Sequence, residues 1–234
     1  MNHFQNGSSL NVVTTAKDDF SGLVDTGISI SHLNVNWIIV TCNRDLTFDR
    51  LKGLGLFPAK IIYDDGLGIY PAFNLALDAI EEGYVWFLNS GDLCLIQDLK
   101  ALNLEQAQGS LVLARQFNLE TKRLSKLTRF PNLWIRWALR PVPHQSIFFS
   151  YESIFGRKFR TDIGLVADQC FIYETLSAFG FVKRKLVTTL FEGFGRGSVG
   201  TNFADQVNLF LNRQGSCMRA FVDLLRSGKS WVRK

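Results

Sequence analysis

The stretch Val85-Trp86-Phe87-Leu88-Asn89-Ser90-Gly91-Asp92 decides how this chain folds. Four apolar residues run without alternation and then give way to small polar residues and a carboxylate. An unbroken apolar run reads as a strand covered on both faces, as in a parallel sheet flanked by helices. In open sheets of that kind ligands bind beyond the carboxyl ends of the strands, so Asp92 falls where a substrate would lie. A carboxylate there can hold Mg²⁺ or Mn²⁺, which in turn neutralises a diphosphate. The same pattern also suits an ordinary turn carboxylate.

Working outward, short β-branched runs at residues 11–15, 37–41 and 60–63 precede this strand, which spans residues 84–88 and is the most apolar. Tyr70, Phe73, Leu77 and Ile80 recur at helical spacing between the third and fourth runs. Gly83, after Glu81 and Glu82, is the expected stop of that helix. Beyond Asp92, residues 111–114 and 146–149 read as further strands, residues 166–179 as a helix and residues 186–191 as a strand. A glycine-rich loop follows, and the pattern is helical from residue 202. Alternating strands and helices predict an α/β fold, a mostly parallel central sheet flanked by helices.

Composition agrees with a single folded domain over residues 1–234. Apolar residues make up 47% and charged residues 20% of the chain, enough for a large core and against global disorder. Cys42, Cys94, Cys170 and Cys217 are widely spaced and form no CxxC pair, which speaks for reduced thiols rather than zinc ligands or a disulfide framework. No apolar run has the length of a membrane span, and residues 1–10 carry no signal-peptide core, so a cytoplasmic location is expected. The net charge of +5 suits nucleic acid, anionic lipid or a phosphorylated substrate, and the absence of any nucleic-acid-binding motif removes the first.

Two segments mix bulky apolar residues with arginine and lysine. Arg129, Arg136 and Arg140 surround Trp134 and Trp137, and Arg226, Lys229, Arg233 and Lys234 surround Trp231. One reading is a pair of helices packed on the core with solvated cations. The other is peripheral association with the inner face of the plasma membrane.

Gly66-Leu67-Gly68-Ile69-Tyr70-Pro71-Ala72-Phe73-Asn74 and Phe87-Leu88-Asn89-Ser90-Gly91-Asp92 resemble, in order and spacing, the "DKGIYDAMN" and "FLNSGD" segments of glycosyltransferase family 2. Val13-Thr14-Thr15-Ala16-Lys17-Asp18 resembles the first strand and nucleotide loop of that family, and Trp37-Ile38-Ile39-Val40 its second strand. Pro143-His144-Gln145-Ser146 resembles its "HQ" segment, and Ala167-Asp168 the Asp-bearing segment at its acceptor site. The resemblance covers roughly residues 11–200. It implies the GT-A fold, with a nucleotide-sugar-binding half at about residues 11–115 and an acceptor half at about 116–200, followed by a basic helical segment over 201–234.

It further implies an inverting transfer of sugar from a nucleotide diphosphate donor, by default a UDP-sugar, to a hydroxyl of a saccharide or polyprenyl-linked acceptor. The setting is bacterial surface polysaccharide assembly, such as O-antigen or capsule. Thr15, Asp18, Gly68, Asn74, Asn89, Ser90 and Asp92 are the implied donor contacts, with Asp92 holding Mg²⁺ or Mn²⁺. Asp168 is the implied general base, and His144 and Gln145 are acceptor or diphosphate contacts. Arg196, among Gly195, Gly197 and Gly200, is a candidate to close over the diphosphate.

Chemistry asks for these roles independently. An attacking hydroxyl needs a carboxylate to take its proton, and a departing diphosphate needs positive charge. A single displacement requires no enzyme nucleophile, and no nucleophile motif stands out. Two departures from the family pattern matter. Thr41-Cys42-Asn43 stands where relatives carry Asp after the second strand, with Asp45 a candidate replacement, and Gly91 stands where many carry a second Asp. Plainer readings remain for single residues: Asp168 as a helix-start carboxylate, Asn74 as a packing residue and His144 as a strand cap. For the whole chain the alternatives are a sugar nucleotidyltransferase, which lacks support because residues 14–19 contain no glycine, and a non-catalytic glycan-binding or scaffolding subunit.

Overall fold

A computed structural model describes residues 9–107, 109–125 and 142–191. Four strands begin the chain: β1 (Leu10–Ala16), β2 (Asn36–Thr41), β3 (Lys60–Tyr63) and β4 (Tyr84–Phe87). They are followed by β5 (Leu93–Cys94), β6 (Leu111–Asn118), β7 (Arg123–Leu124), β8 (Ile147–Ser150) and β9 (Phe181–Phe191). The described helices are α1 (Phe20–Ile30), α2 (Phe48–Lys52), α3 (Ile69–Asp78), α4 (Tyr151–Ile154) and α5 (Ala167–Phe179).

The described strands form one sheet in the order β3-β2-β1-β4-β8-β6-β9-β5, with β7 paired to β6. β1, β2, β3 and β4 are parallel, as is the long β6–β9 ladder, so the sheet is mostly parallel. β8 enters antiparallel between β4 and β6. β4 therefore lies inside the sheet with all four residues buried, as its apolar run implies.

Alternation along the strands divides the core into two layers. Val12, Ile39, Trp86, Val112 and Phe148 face one layer with Leu23 and Ile30 of α1 and Leu51 of α2. Their chain neighbours Val13, Ile38, Val85, Phe87, Leu113, Ile147 and Phe149 face the other, against Phe73 and Ala76 of α3 and Phe171 and Leu176 of α5. Covering both faces is what permits uninterrupted apolar strands. Burial of each large side chain, such as Trp86 or Phe87, contributes roughly 1.5–3 kcal/mol.

An aromatic cluster ties three elements near the site. Phe73 of α3 lies 4.4 Å from Phe87 of β4, and Phe159 stacks at 4.0 Å on Phe171 of α5 and sits 5.3 Å from both Phe73 and Phe87. This packing fixes the start of α5 relative to the end of β4.

Two expectations require correction. Gly83 does not end α3, which stops at Asp78 with Ala79 as its cap. Gly83 instead passes so close to Ser9 that a Cβ would lie 2.3 Å from the Ser9 carbonyl oxygen. The last strand begins at Phe181 rather than near residue 186, because its first half, Val182-Lys183-Arg184-Lys185, is charged yet still pairs with β6. No helix of the described residues is long and apolar enough to cross a membrane. The basic aromatic segments around Trp134, Trp137 and Trp231, the glycine-rich loop with Arg196, and Cys217 lie outside the described residues.

Candidate active site

β1 is followed in the sheet by β2 on one side and β4 on the other. The chain runs from β1 outward through β2 to β3 and then returns past them to β4. That reversal opens a crevice at the carboxyl ends of β1 and β4, the usual ligand position in such sheets. A cavity of about 460 Å³ occupies this end of the sheet. Its size falls within the range of small-molecule sites.

Thr15 in β1, Lys17, Asp18 and Asp19 after it, Val40 and Cys42 at β2, Asp64 after β3, Gly68 and Ala72 at α3, and Ser90 after β4 all line this cavity. Four of the residues implied as donor contacts, Thr15, Asp18, Gly68 and Ser90, thus line one cavity. Gly68 precedes α3 at φ +127°, which an L side chain rarely adopts, and leaves the helix start open to the cavity. Asp45 is exposed and does not line the cavity, whereas Asp64 does.

The wall near Ser90 is built by α1. Asp19 caps that helix by accepting from the Gly22 amide at 2.9 Å, and its other carboxylate oxygen accepts the Ser90 hydroxyl at 2.8 Å. Gly22 allows the approach, since a Cβ there would meet Asp19 Oδ2 at 2.0 Å and the Gly91 amide at 2.9 Å. Thr26, fully buried, donates to the Asp92 carbonyl at 2.9 Å and accepts from the Gly91 amide at 3.1 Å.

Asp92 lies beneath this turn, 3% exposed, and its carboxylate accepts from the Asn89 amide at 3.2 Å. The side chain thereby ties the turn that follows β4 back onto its first residue. Among the described residues no group of three or more His, Cys, Asp or Glu gathers to hold a metal ion. Such a donor set does not cage a cation. Asp92, the one carboxylate implied as a ligand, is buried and is not among the residues that line the cavity.

From the cavity a continuous chain of polar contacts leads to Asp168. The Thr15 hydroxyl donates to Asn89 Oδ1 at 3.2 Å, and Asn89 Nδ2 lies 3.2 Å from His144 Nε2. His144 Nδ1 lies 3.3 Å from Asp168 Oδ2. His144 sits in a short 3₁₀ turn just before β8, with its ring edge-on to Phe73 at 5.8 Å. Asp168 occupies the first turn of α5, and Gln169 Nε2 bridges Asp168 Oδ2 at 3.2 Å and the Val142 carbonyl at 3.0 Å. The His144 and Asp168 side chains are 12% and 16% exposed, accessible to a substrate but mostly shielded from water.

One implied contact, Asn74, is occupied within the scaffold. Asn74 donates to the Phe159 carbonyl at 2.9 Å and accepts from the Phe159 amide at 2.8 Å, clamping the loop that carries the aromatic stack. Gln145 is buried, and its backbone carbonyl accepts from Trp86 Nε1 and the Thr189 hydroxyl, both at 2.8 Å. Sequence reasoning missed Asp19, Thr26 and Asp64. Asp64 was findable as a carboxylate directly after a strand, whereas Asp19 caps a helix whose sequence does not announce it.

No family model matches the chain, and no curated protein matches it. Solved structures share its fold. The chain resembles S. aureus TarS 1-349 with a TM-score of 0.67 at 11% identity, over 96% of this chain and 73% of that one. It resembles the same protein in complex with UDP-GlcNAc with a TM-score of 0.58 at 11% identity, over 86% and 66%. It resembles the mannosyltransferase PcManGT from Pyrobaculum calidifontis, in complex with GDP-Man and Mn²⁺, with a TM-score of 0.61 at 13% identity, over 94% and 64%. Against the longer TarS chain it spans 43% of the length. At these identities the likeness shows the fold, the α/β GT-A arrangement of a mostly parallel sheet flanked by helices.

Proposed function

We propose that this chain is an inverting glycosyltransferase that moves a sugar from a nucleotide diphosphate donor, by default a UDP-sugar, to a hydroxyl of a saccharide or polyprenyl-linked acceptor. The observation that carries the proposal is the junction at Thr15. This residue lines the cavity at the switch point and begins the polar chain that ends on Asp168. This link supports reading the cavity and Asp168 as parts of one site.

In this reading the sugar end of the donor lies toward Ser90, and the nucleoside end lies toward Cys42 and Asp64. Two strand spacings separate the ends of β1 and β3, roughly 10 Å, about what a ribose and diphosphate span. Asp64 would repel phosphate, so it belongs at the base. Its Oδ1 accepts from the Gly66 amide at 3.2 Å, leaving Oδ2 for a ligand N–H. Asp168 takes the proton of the acceptor hydroxyl as that oxygen attacks the anomeric carbon, while the bond to the diphosphate breaks on the opposite face. Asp92 would be the ligand the chain gives to a Mg²⁺ or Mn²⁺ ion arriving with the diphosphate, and that ion would supply positive charge for the leaving group.

The acceptor half and peripheral attachment at the inner membrane face, through the segments around Trp134, Trp137 and Trp231, belong to the same proposal, as does Arg196 at the diphosphate. Incubation with a panel of nucleotide sugars and Mn²⁺, with release of nucleoside diphosphate as the readout, tests it. Slow release from one donor, abolished by Asp168→Asn, supports a transferase. Binding of a nucleotide sugar without release under any acceptor supports the non-catalytic glycan-binding alternative, which the sparse carboxylate set favours.

A further inference from the structure

We infer that Asn89 and His144 are positioning residues that set the proton on the Asp168 side of the imidazole and link that arrangement to the donor cavity. The inference rests on the reading of Asp168 as the base. Its physical argument concerns only hydrogen-bond polarity.

Asn89 presents Oδ1 to the Thr15 hydroxyl and Nδ2 to His144 Nε2. An amide nitrogen only donates, so Nε2 must be the bare, accepting nitrogen. The proton of a neutral imidazole then sits on Nδ1 and points at Asp168 Oδ2, 3.3 Å away. The opposite tautomer would set a nitrogen lone pair against a carboxylate. An imidazolium would set Nε2–H against the Asn89 amide hydrogens unless that amide turned over, which would exchange its partner at Thr15 from donor to acceptor. Only the Nδ1–H tautomer satisfies Thr15, Asn89, His144 and Asp168 together in the orientation the structure gives.

Phe73, edge-on to the imidazole at 5.8 Å, holds the ring against rotation, and Gln169 Nε2 supplies a second donor to the same carboxylate oxygen. Asp168 is thereby held in one rotamer with Oδ2 occupied. Because Thr15 also lines the cavity, a donor that engages its hydroxyl acts on the first link of the chain.

Nitrogen-15 NMR of the imidazoles reads the tautomer directly in the intact protein without substrate. The chain has 3 histidines, His3, His32 and His144, and a His144→Gln spectrum assigns the relevant signal. The wild type should show a bare Nε2 and a protonated Nδ1 near neutral pH. Asn89→Asp replaces the donor with an acceptor, so Nε2 should gain a proton. Turnover should fall roughly ten- to a hundredfold. A wild-type Nε2–H tautomer, a wild-type imidazolium, or an Asn89→Asp protein with unchanged imidazole signals or unchanged turnover overturns the inference. A wild type with the Nδ1–H tautomer that transfers no sugar overturns the transferase reading and leaves the assignment of the proton standing.

Discussion

His144 Nδ1 lies 3.3 Å from Asp168 Oδ2, joining the turn before β8 to the first turn of α5. A carboxylate held by a ring, a glutamine and its own helix start is fixed in direction, and a base acts only from a fixed direction.

Asp168→Asn keeps shape and hydrogen-bonding capacity but cannot take a proton. Turnover should fall by about a hundredfold or more, with the dissociation constant of the nucleoside diphosphate unchanged within experimental scatter. Calorimetry and a turnover assay on one preparation decide this. Normal turnover with weakened nucleotide binding would reassign Asp168 to the scaffold.

Asp92 calls for a pair of variants. Asp92→Ala leaves the half-buried Asn89 main-chain amide without its acceptor and should lower stability by about 1 kcal/mol. Asp92→Asn retains an acceptor and should melt close to wild type while losing response to added Mn²⁺. Equal denaturant midpoints for wild type and Asp92→Ala would show that the turn does not depend on this carboxylate.

For Asn74, the clamp on Phe159 predicts a stability effect rather than a donor effect. Asn74→Ala strands the amide and carbonyl of Phe159 and should cost about 1–3 kcal/mol. Nucleotide affinity of the folded fraction should be unaffected. A full-strength fold with lost nucleotide binding would restore Asn74 as a donor contact.

The parallel strands were legible because burial on both faces writes continuous apolar runs: residues 60–63 match β3, and β1, β2 and β4 lie within a residue at either end of their runs. Helix α1 was not legible. Its sequence Phe-Ser-Gly-Leu-Val-Asp-Thr-Gly-Ile-Ser-Ile is poor in helix formers, and Gly22 and Gly27 are there for contacts made across the fold. A Cβ on Gly27 would lie 2.5 Å from the Trp37 ring. Residues at the site were nameable one by one from segment resemblance. Their joining was not, because Thr15–Asn89 and His144–Asp168 are contacts between segments far apart in the chain. Asn74 shows the same limit, since its partner Phe159 is 85 residues away.

Asp64 should read the base. An acceptor-only carboxylate suits the ring N–H of uracil or guanine. Asp64→Asn preserves the turn to Gly66 but replaces the free acceptor with a donor. Affinity for UDP and GDP should drop about tenfold, and affinity for CDP should hold or rise. Equal weakening of UDP, GDP, CDP and ADP would place the residue at the ribose.

The most direct test of a nucleotide-sugar donor in the cavity beside Thr15 is calorimetric titration of the wild-type protein with UDP, GDP, CDP and ADP in the presence of Mn²⁺. The account predicts one-to-one binding of one nucleoside diphosphate, with a dissociation constant of roughly 1 μM to 1 mM, and competition by the matching nucleotide sugar. Absence of heat with all four nucleotides, at protein and ligand concentrations able to detect millimolar binding, would contradict it.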